Sequence, residues 1–341
     1  MGQHPDKETR PLSKRAVAIF SLGGTIAMTT DPATGGVVPA LSAHELLAAV
    51  PALQDLDVEL RVHDFRRLPG ASLSFDDLSA LSDAIADAFR AGCDGAVVTQ
   101  GTDTIEETAY LLDVLHAGEQ PIVVTGAMRN PTQPGADGPA NIHAAVIAAA
   151  ATELRGAGTV VVLGDEIHAA RSVRKSHSTS PAAFTSPATG PLGRLYEGRV
   201  HPRGPLAART AFPGPLTSPT PRVGLYTATL GDDGTLLATM AEACDGLVVA
   251  AFGVGHVPQS FVATLEQTAA RIPVVLTSRI GNGPVLEATY SFPGSEKDLL
   301  ARGLIRGGHL DPYKARLLLH LLLAQDRKTD EIAARFRAMA D

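Results

Sequence analysis

The stretch Cys93–Met128, CDGAVVTQGTDTIEETAYLLDVLHAGEQPIVVTGAM, decides the fold. Gly95–Thr99 is a short apolar run rich in valine, the pattern of a strand buried on both faces. Gln100–Asp103 form a turn, and a helix is expected from Thr104, with Thr104 as N-cap and Glu107 three residues later closing a capping box. Pro121 then opens a second β-rich run. Strand, helix and strand in this order make a βαβ unit, whose two strands are parallel.

The same alternation extends outward. Ala16–Leu22 (AVAIFSL) and Thr159–Asp165 (TVVVLGD) are further apolar runs, so from Ala16 to about Gly198 the chain reads as an α/β domain with a mostly parallel sheet flanked by helices. A second copy of the layout lies at Cys244–Ile280, CDGLVVAAFGVGHVPQSFVATLEQTAARIPVVLTSRI. Each copy reads Cys-Asp-Gly, strand, loop, helix, Pro, strand, and the interval is 28 residues from Cys93 to Pro121 and 29 from Cys244 to Pro273. Between the copies, His201–Arg222 is proline-rich with little apolar periodicity, the composition of a linker. The expected organisation is a tail over residues 1–15, a larger N-terminal catalytic domain over 16–200, a linker over 201–222 and a smaller Rossmann-like α/β domain over 223–341. A length of 341 residues suits two domains better than one. Near the end, Asp311 and Pro312 stand where an N-cap and a first helical residue belong.

Composition narrows the function. Hydrophobic residues make up 45% and charged residues 19%, which is core-rich and globular rather than disordered. Asp and Glu number 36 against 29 Lys and Arg, and no long basic block occurs, which argues against a nucleic-acid partner. Aromatic residues are 4% with no tryptophan, so platforms for stacking bases or sugars are not expected. Cys93 and Cys244 lack metal-site spacing and read as buried thiols of a reducing compartment. The opening MGQHPDKETRPLSKR has no apolar core of a signal peptide, and LLLHLLLA is too short to span a bilayer. A soluble cytoplasmic protein without a membrane partner is the expectation.

Candidate chemistry concentrates where strands end. Thr102 and Asp103 sit at the carboxyl end of a parallel strand, beside the free N–H groups of a helix start. In open α/β sheets that crevice takes the ligand, and a helix start favours an anion such as a substrate carboxylate. The same residues would also serve as a plain helix cap. Gly23-Gly24-Thr25 repeats the design, two glycines permitting a tight turn beside the Thr25 hydroxyl, although a structural turn needs nothing more. Its spacing is not that of a dinucleotide fingerprint. Lys175, in ARSVRKSHSTS, follows the strand Thr159–Asp165. A lysine crowded by other cations is favoured in its neutral form and accepts a proton, whereas one in a polar loop is usually just solvated. The eleven histidines, His143 and His256 among them, show no metal-binding spacing, and there is no Gly-x-Ser-x-Gly elbow.

Four segments, in this order, resemble the bacterial L-asparaginase family, which includes the glutaminase-asparaginases: SLGGTIAM (Ser21–Met28), TQGTDTIEETAYLL (Thr99–Leu112), VVTGAMRNPTQPGADGPANI (Val123–Ile142) and RSVRKSHSTSPAAFTS (Arg171–Ser186). GHLDPYKARLLLHLLL (Gly308–Leu323) is similar to that family's entry into its C-terminal helix. The resemblance runs from about Ala16 to the end and implies hydrolysis of asparagine to aspartate and ammonia, with no metal or organic cofactor. It implies Thr25 as nucleophile, Thr102 and Lys175 as the pair that handles protons or a water, and Asp103 as the grip on the substrate's α-ammonium. Ala127 matches a position whose carbonyl faces the leaving amide. Gly70 or Ala71 stands where a carboxylate-binding serine is common, with Ser72 or backbone N–H groups as substitutes. A homo-oligomer, a dimer or a dimer of dimers, is implied, with each site completed by a neighbour's second domain.

The chain departs from the family pattern in places. Gln100 stands where histidine is usual, and Ala27–Ala40, a lid reading based on Gly35-Gly36, lacks the usual tyrosine. Tyr290 and His256 fall near positions through which the second domain contributes, and Tyr290 is expected to supply the missing group across the subunit boundary. The alternatives are a glutaminase-asparaginase of broad specificity and, from another class, an amino-acid sensor that has lost turnover.

Overall fold

The computed structural model describes residues 14–24, 26, 28–30, 37–39, 42–216 and 220–339. The first part of the chain supplies β1 (Arg15–Ser21), a small hairpin of β2 (Met28–Thr30) and β3 (Val37–Pro39), then β4 (Val58–Asp64), β5 (Gly95–Thr99), β6 (Ile122–Thr125) and β7 (Thr159–Leu163). After these come β8 (Glu166–Ala169), a ribbon of β9 (Arg174–Lys175) and β10 (Phe184–Thr185), and the pair β11 (Gly193–Tyr196) and β12 (Arg199–Pro202). The main sheet runs β12-β11-β8-β7-β6-β5-β1-β4. The parallel character expected from the sequence holds for β4, β1, β5, β6 and β7, and β8, β11 and β12 extend that sheet in antiparallel fashion. Two-residue turns make this edge: Gly164-Asp165 and Glu197-Gly198 all have positive φ, the geometry that matches hairpin twist.

Helices α1 (Ala43–Ala48), α2 (Phe75–Arg90), α3 (Ile105–Leu115) and α4 (Gly138–Ala150) cover the sheet. Alternation along each strand divides the core between the two faces. Val97, Val123, Val160 and Val162 pack with Ile142 and Ala145 of α4, whereas Val98, Val124 and Val161 pack with Leu81, Ile105 and Leu112 of α2 and α3.

The second sheet is wholly parallel: β13 (Val223–Thr227), β14 (Gly246–Ala251), β15 (Val274–Ser278) and β16 (Ile305–Arg306), in that order. Helices α5 (Thr235–Glu242), α6 (Val262–Ala269) and α7 (Glu296–Ala301) line one face, through Leu237, Leu265 and Leu299. Helix α8 (Pro312–Ala324) backs the other face, and α9 (Thr329–Met339) follows it. Asp311 caps α8 as expected, its carboxylate accepting from the N–H groups of Tyr313 and Lys314. Leu318 and Leu322 of α8, Val248 and Val275 of the second sheet, and Leu111 of α3 belong to one apolar cluster, so a single core spans both sheets.

The proline-rich stretch that joins the sheets packs on both halves: Phe212 donates its N–H to Val114 O and accepts from Gln325 just after α8, and His320 of α8 lies 3.2 Å from Leu216 O. Phe212 and Leu216 are buried. Arg209 donates to the carbonyls of Asp113, His116 and Gly118 and pairs with the Asp113 carboxylate at 3.2 Å, closing the carboxyl end of α3. Both cysteines are free and buried, as expected.

Candidate active site

Strand β1 lies between β4 and β5, so the turns that follow these three strands meet at one edge of the sheet. Gly23 and Gly24 have left-handed φ values of 96° and 84°. A side chain on Gly24 would come within 2.0 Å of the Gly101 nitrogen, and one on Gly23 within 2.9 Å of the Leu68 nitrogen. Only glycine allows both the conformation and the approach. Thr25, expected as the nucleophile, lies outside the described residues, as do Ala27, Gly35-Gly36 and the rest of residues 31–36, 40 and 41. What is described of the expected lid is the antiparallel pairing of β2 with β3, in which Thr30 faces Val37.

Beyond β5 the chain makes a 3-10 turn, Thr102–Thr104, before α3 begins. Thr102 is buried, while the Asp103 carboxylate remains exposed. Lys175 arrives from β9. Its Nζ lies 2.9 Å from Thr102 Oγ1 and 3.0 Å from Asp103 Oδ1. Three of the residues singled out in the sequence therefore share one set of contacts, with an amine between a hydroxyl and a carboxylate. The Lys175 backbone N–H donates to Glu106 Oε2 at 2.9 Å. Burial pushes the Glu106 carboxyl above its ordinary range, against the opposing charge of Lys314 and that N–H.

The capping box expected at Thr104 and Glu107 does not form. Thr104 makes no side-chain bond to the helix; its hydroxyl donates to Gly70 O at 3.0 Å and accepts from Gln100 Nε2 at 3.2 Å. The 3-10 turn faces this hydroxyl toward the neighbouring turn Gly70–Ser72, and a long-range bond takes the place of the local one. Gln100, in the place where the family resemblance calls for histidine, is fully buried and ties its own turn together through Gly101 O and Thr104.

Gly70 is buried, and a Cβ there would meet Gly101 O at 2.9 Å, whereas Ala71 and Ser72 are exposed beside it. Ala127 is buried next to Gly126, where a Cβ would stand 2.7 Å from Gln100 O and 3.3 Å from Thr102 Cγ2. The turn after β6 thus borders Thr102. Asn141 and Asp137 hold that turn: Asn141 Nδ2 donates to Gly126 O, and the Asp137 carboxylate accepts from the N–H groups of Met128 and Arg129. Neither residue is singled out by the sequence reading, although both lie inside a quoted motif.

His256 and Tyr290 make their contacts in the second domain. The His256 ring packs 4.8 Å from that of Tyr290 and 5.0 Å from that of Phe292, and its Nε2 lies 3.2 Å from Glu296 Oε2. Burial alone would raise the Glu296 carboxyl, but bonds from the N–H groups of Tyr290, Glu296 and Thr289 and from His256 outweigh it and hold it below the usual range. Among the described residues, no group of three His, Cys, Asp or Glu is placed to hold a metal ion. No helix among them is long and apolar enough to cross a membrane.

Two family models match the chain: "Asparaginase, N-terminal" over residues 16–207 and "Glutaminase/Asparaginase C-terminal domain" over residues 222–336. The chain is 37% identical to an L-asparaginase of Bacillus licheniformis over 313 residues, 91% of this chain and 96% of that protein. It is 34% identical to a probable L-asparaginase of Deinococcus radiodurans over 325 residues, 94% and 97% of the two. A solved structure of a probable cytoplasmic L-asparaginase from Campylobacter jejuni superimposes with a TM-score of 0.83 at 30% identity, covering 95% of this chain and 99% of that one.

Proposed function

Because the chain belongs to the asparaginase family, we infer that it is an amidohydrolase that converts L-asparagine to L-aspartate and ammonia. The observation that carries the reading is the contact of Lys175 Nζ with both Thr102 Oγ1 and Asp103 Oδ1 at a strand's carboxyl end.

A threonine hydroxyl is a poor nucleophile until a neighbour takes its proton. In this reading Thr25 attacks the side-chain amide, and backbone N–H groups stabilise the tetrahedral oxyanion, about 3 kcal/mol for one well-placed donor. As that intermediate collapses, the proton released by Thr25 passes to the leaving nitrogen, so that ammonia departs past the Ala127 carbonyl and an ester remains on Thr25 Oγ1. Water then cleaves the ester to release aspartate and restore the hydroxyl. In that second step Lys175, as the neutral amine, takes a proton from a water that Thr102 holds and returns it by way of Thr102 to the Thr25 oxygen as the ester breaks. The exposed Asp103 carboxylate receives the substrate's α-ammonium, and the Gly70–Ser72 turn receives its α-carboxylate through Ser72 or backbone N–H groups.

The exposed rings of Tyr290 and Phe292, grouped with His256, support a homo-oligomer in which Tyr290 serves a neighbour's Thr25. The two buried free thiols support a cytoplasmic setting.

The test is ammonia release from asparagine and from glutamine by the wild type, Thr25→Ala, Thr102→Ala and Tyr290→Phe. Each alanine variant is expected to lose about 10³-fold in kcat. Full turnover by Thr102→Ala would remove the reading, and full turnover by Tyr290→Phe would remove only the cross-subunit role. Equal rates on both substrates would make the protein a broad glutaminase-asparaginase.

A further inference from the structure

Two contacts outside the catalytic cluster bracket the backbone of Lys175. Strands β9 and β10 have two residues each, and a ribbon of that size has little stability of its own in water. The Lys175 N–H is held by Glu106 Oε2 of α3 at 2.9 Å. Two residues earlier, the Val173 carbonyl accepts from Lys314 Nζ at 2.6 Å.

Lys314 lies on α8, in the second domain, and is 1% exposed; its ammonium also donates to Asp311 Oδ2 at 2.9 Å. A buried ammonium is tolerated only where acceptors replace its water. Helix α8 already has its cap in Asp311 Oδ1, which accepts from the Tyr313 and Lys314 N–H groups. The bond from Nζ to Val173 O is not part of that cap. It joins the second domain to the chain that enters Lys175. The charge of Lys314 also acts on Glu106, so the two holds are linked electrostatically.

We propose that Lys314 is a positioning residue for the amidohydrolase reaction: its ammonium on Val173 O and the Glu106 carboxylate on the Lys175 N–H together fix the backbone from which Lys175 reaches Thr102 and Asp103. The inference rests on the assignment of Lys175 to the chemistry. It makes the docking of the second domain a determinant of proton handling in the first.

The experiment is a cycle of Lys175→Met, Lys314→Met and the double variant in the full-length protein, read by kcat, KM for asparagine and the thermal midpoint. Lys314→Met is expected to lower kcat about 10- to 100-fold while KM stays within about threefold, because a displacement near 1 Å costs chemistry rather than binding. In the Lys175→Met background the same change is expected to cost less than about twofold, since the group it positions is gone. A purely structural role would lower both backgrounds alike by reducing the folded fraction. Unchanged kcat in folded Lys314→Met overturns the proposal, as does a loss that multiplies undiminished onto Lys175→Met. Should Lys314→Met fail to fold, Glu106→Leu removes the other hold and enters the same cycle with the same two overturning results. Full activity of Lys175→Met alone would instead strike the assignment on which the proposal stands.

Discussion

The two strand–helix–strand units, β5-α3-β6 and β14-α6-β15, share their scaffolding down to single hydrogen bonds. Asp94 donates its N–H to Ala16 O at 2.7 Å and accepts from Ala16 N at 2.9 Å; Asp245 repeats this with Arg222, at 2.8 and 2.7 Å. Ala96 and Leu247 each donate to the proline that precedes the next strand, Pro121 and Pro273, both at 3.0 Å. The units part company at the carboxyl ends of β5 and β14. After β5, Gln100–Thr104 reach outward to Gly70 and Lys175. After β14, Phe252 and His256 bond to each other, and the loop turns back on Gly253 and Gly255 at φ values of 47° and 117°. The Cys-Asp-Gly frame and its closing proline specify architecture, while a few residues past the strand specify chemistry.

This equivalence can be tested variant by variant. The largest expected contrast is at the two strand-opening glycines. A Cβ on Gly95 would stand 2.0 Å from Ala149 O, a backbone atom that cannot yield, whereas one on Gly246 would meet Leu323 Cδ1 at 2.8 Å and Leu319 Cδ2 at 3.0 Å, which can rotate away. Gly95→Ala is expected to cost more than about 4 kcal/mol and Gly246→Ala about 1–3 kcal/mol, measured by denaturant unfolding. Comparable costs would show that the two strand starts are packed alike.

The aspartates should behave as a matched pair. Asp94→Ala and Asp245→Ala are each expected to cost about 1.5–3 kcal/mol, the range for a hydrogen bond to a charged group. A clear inequality in their unfolding free energies would break the equivalence at its most conspicuous point.

The smallest effect separates the units by pH. Only the first carries a histidine between its helix and second strand: burial holds the His116 imidazole below its ordinary value of 6.5, with Arg209 acting in the same sense and the bond to Gln120 O opposing both. The unfolded chain therefore takes up this proton first. Stability from His116 is intact above the ordinary imidazole value and lost as pH falls through the lower, folded one. The thermal midpoint of the wild type is expected to fall by roughly 2–4 °C more than that of His116→Gln on acidification below that range. Parallel curves would exclude His116 as the source.

What the sequence discloses follows the range of the interactions involved. The buried parallel strands are legible because their signal is a local run of apolar residues, and the α8 cap because Asp311 bonds to residues two and three positions on. Thr104 misleads because its partner, Gly70, is 34 residues away. Strand β9 carries Lys175 yet has almost no local signature, since its holds come from Glu106 and Lys314. The antiparallel edge escapes the sequence, in which Thr159–Asp165 is one apolar run; Gly164-Asp165 and Glu197-Gly198 identify themselves as tight hairpins only through their positive φ. At the site, motif order brings Thr102, Asp103 and Lys175 to notice, whereas Asp137 and Asn141 escape it because polar residues in a loop look alike until their partners are known.

Arg209 gives the crossing between the sheets an unexpected character. With its guanidinium lodged against Asp113, His116 and Gly118, the segment acts as a splint bound to the very helix whose other end presents Thr102 and Asp103. The two halves of the molecule, which share one apolar core, are thus joined by a braced crossing rather than strung like beads on a string.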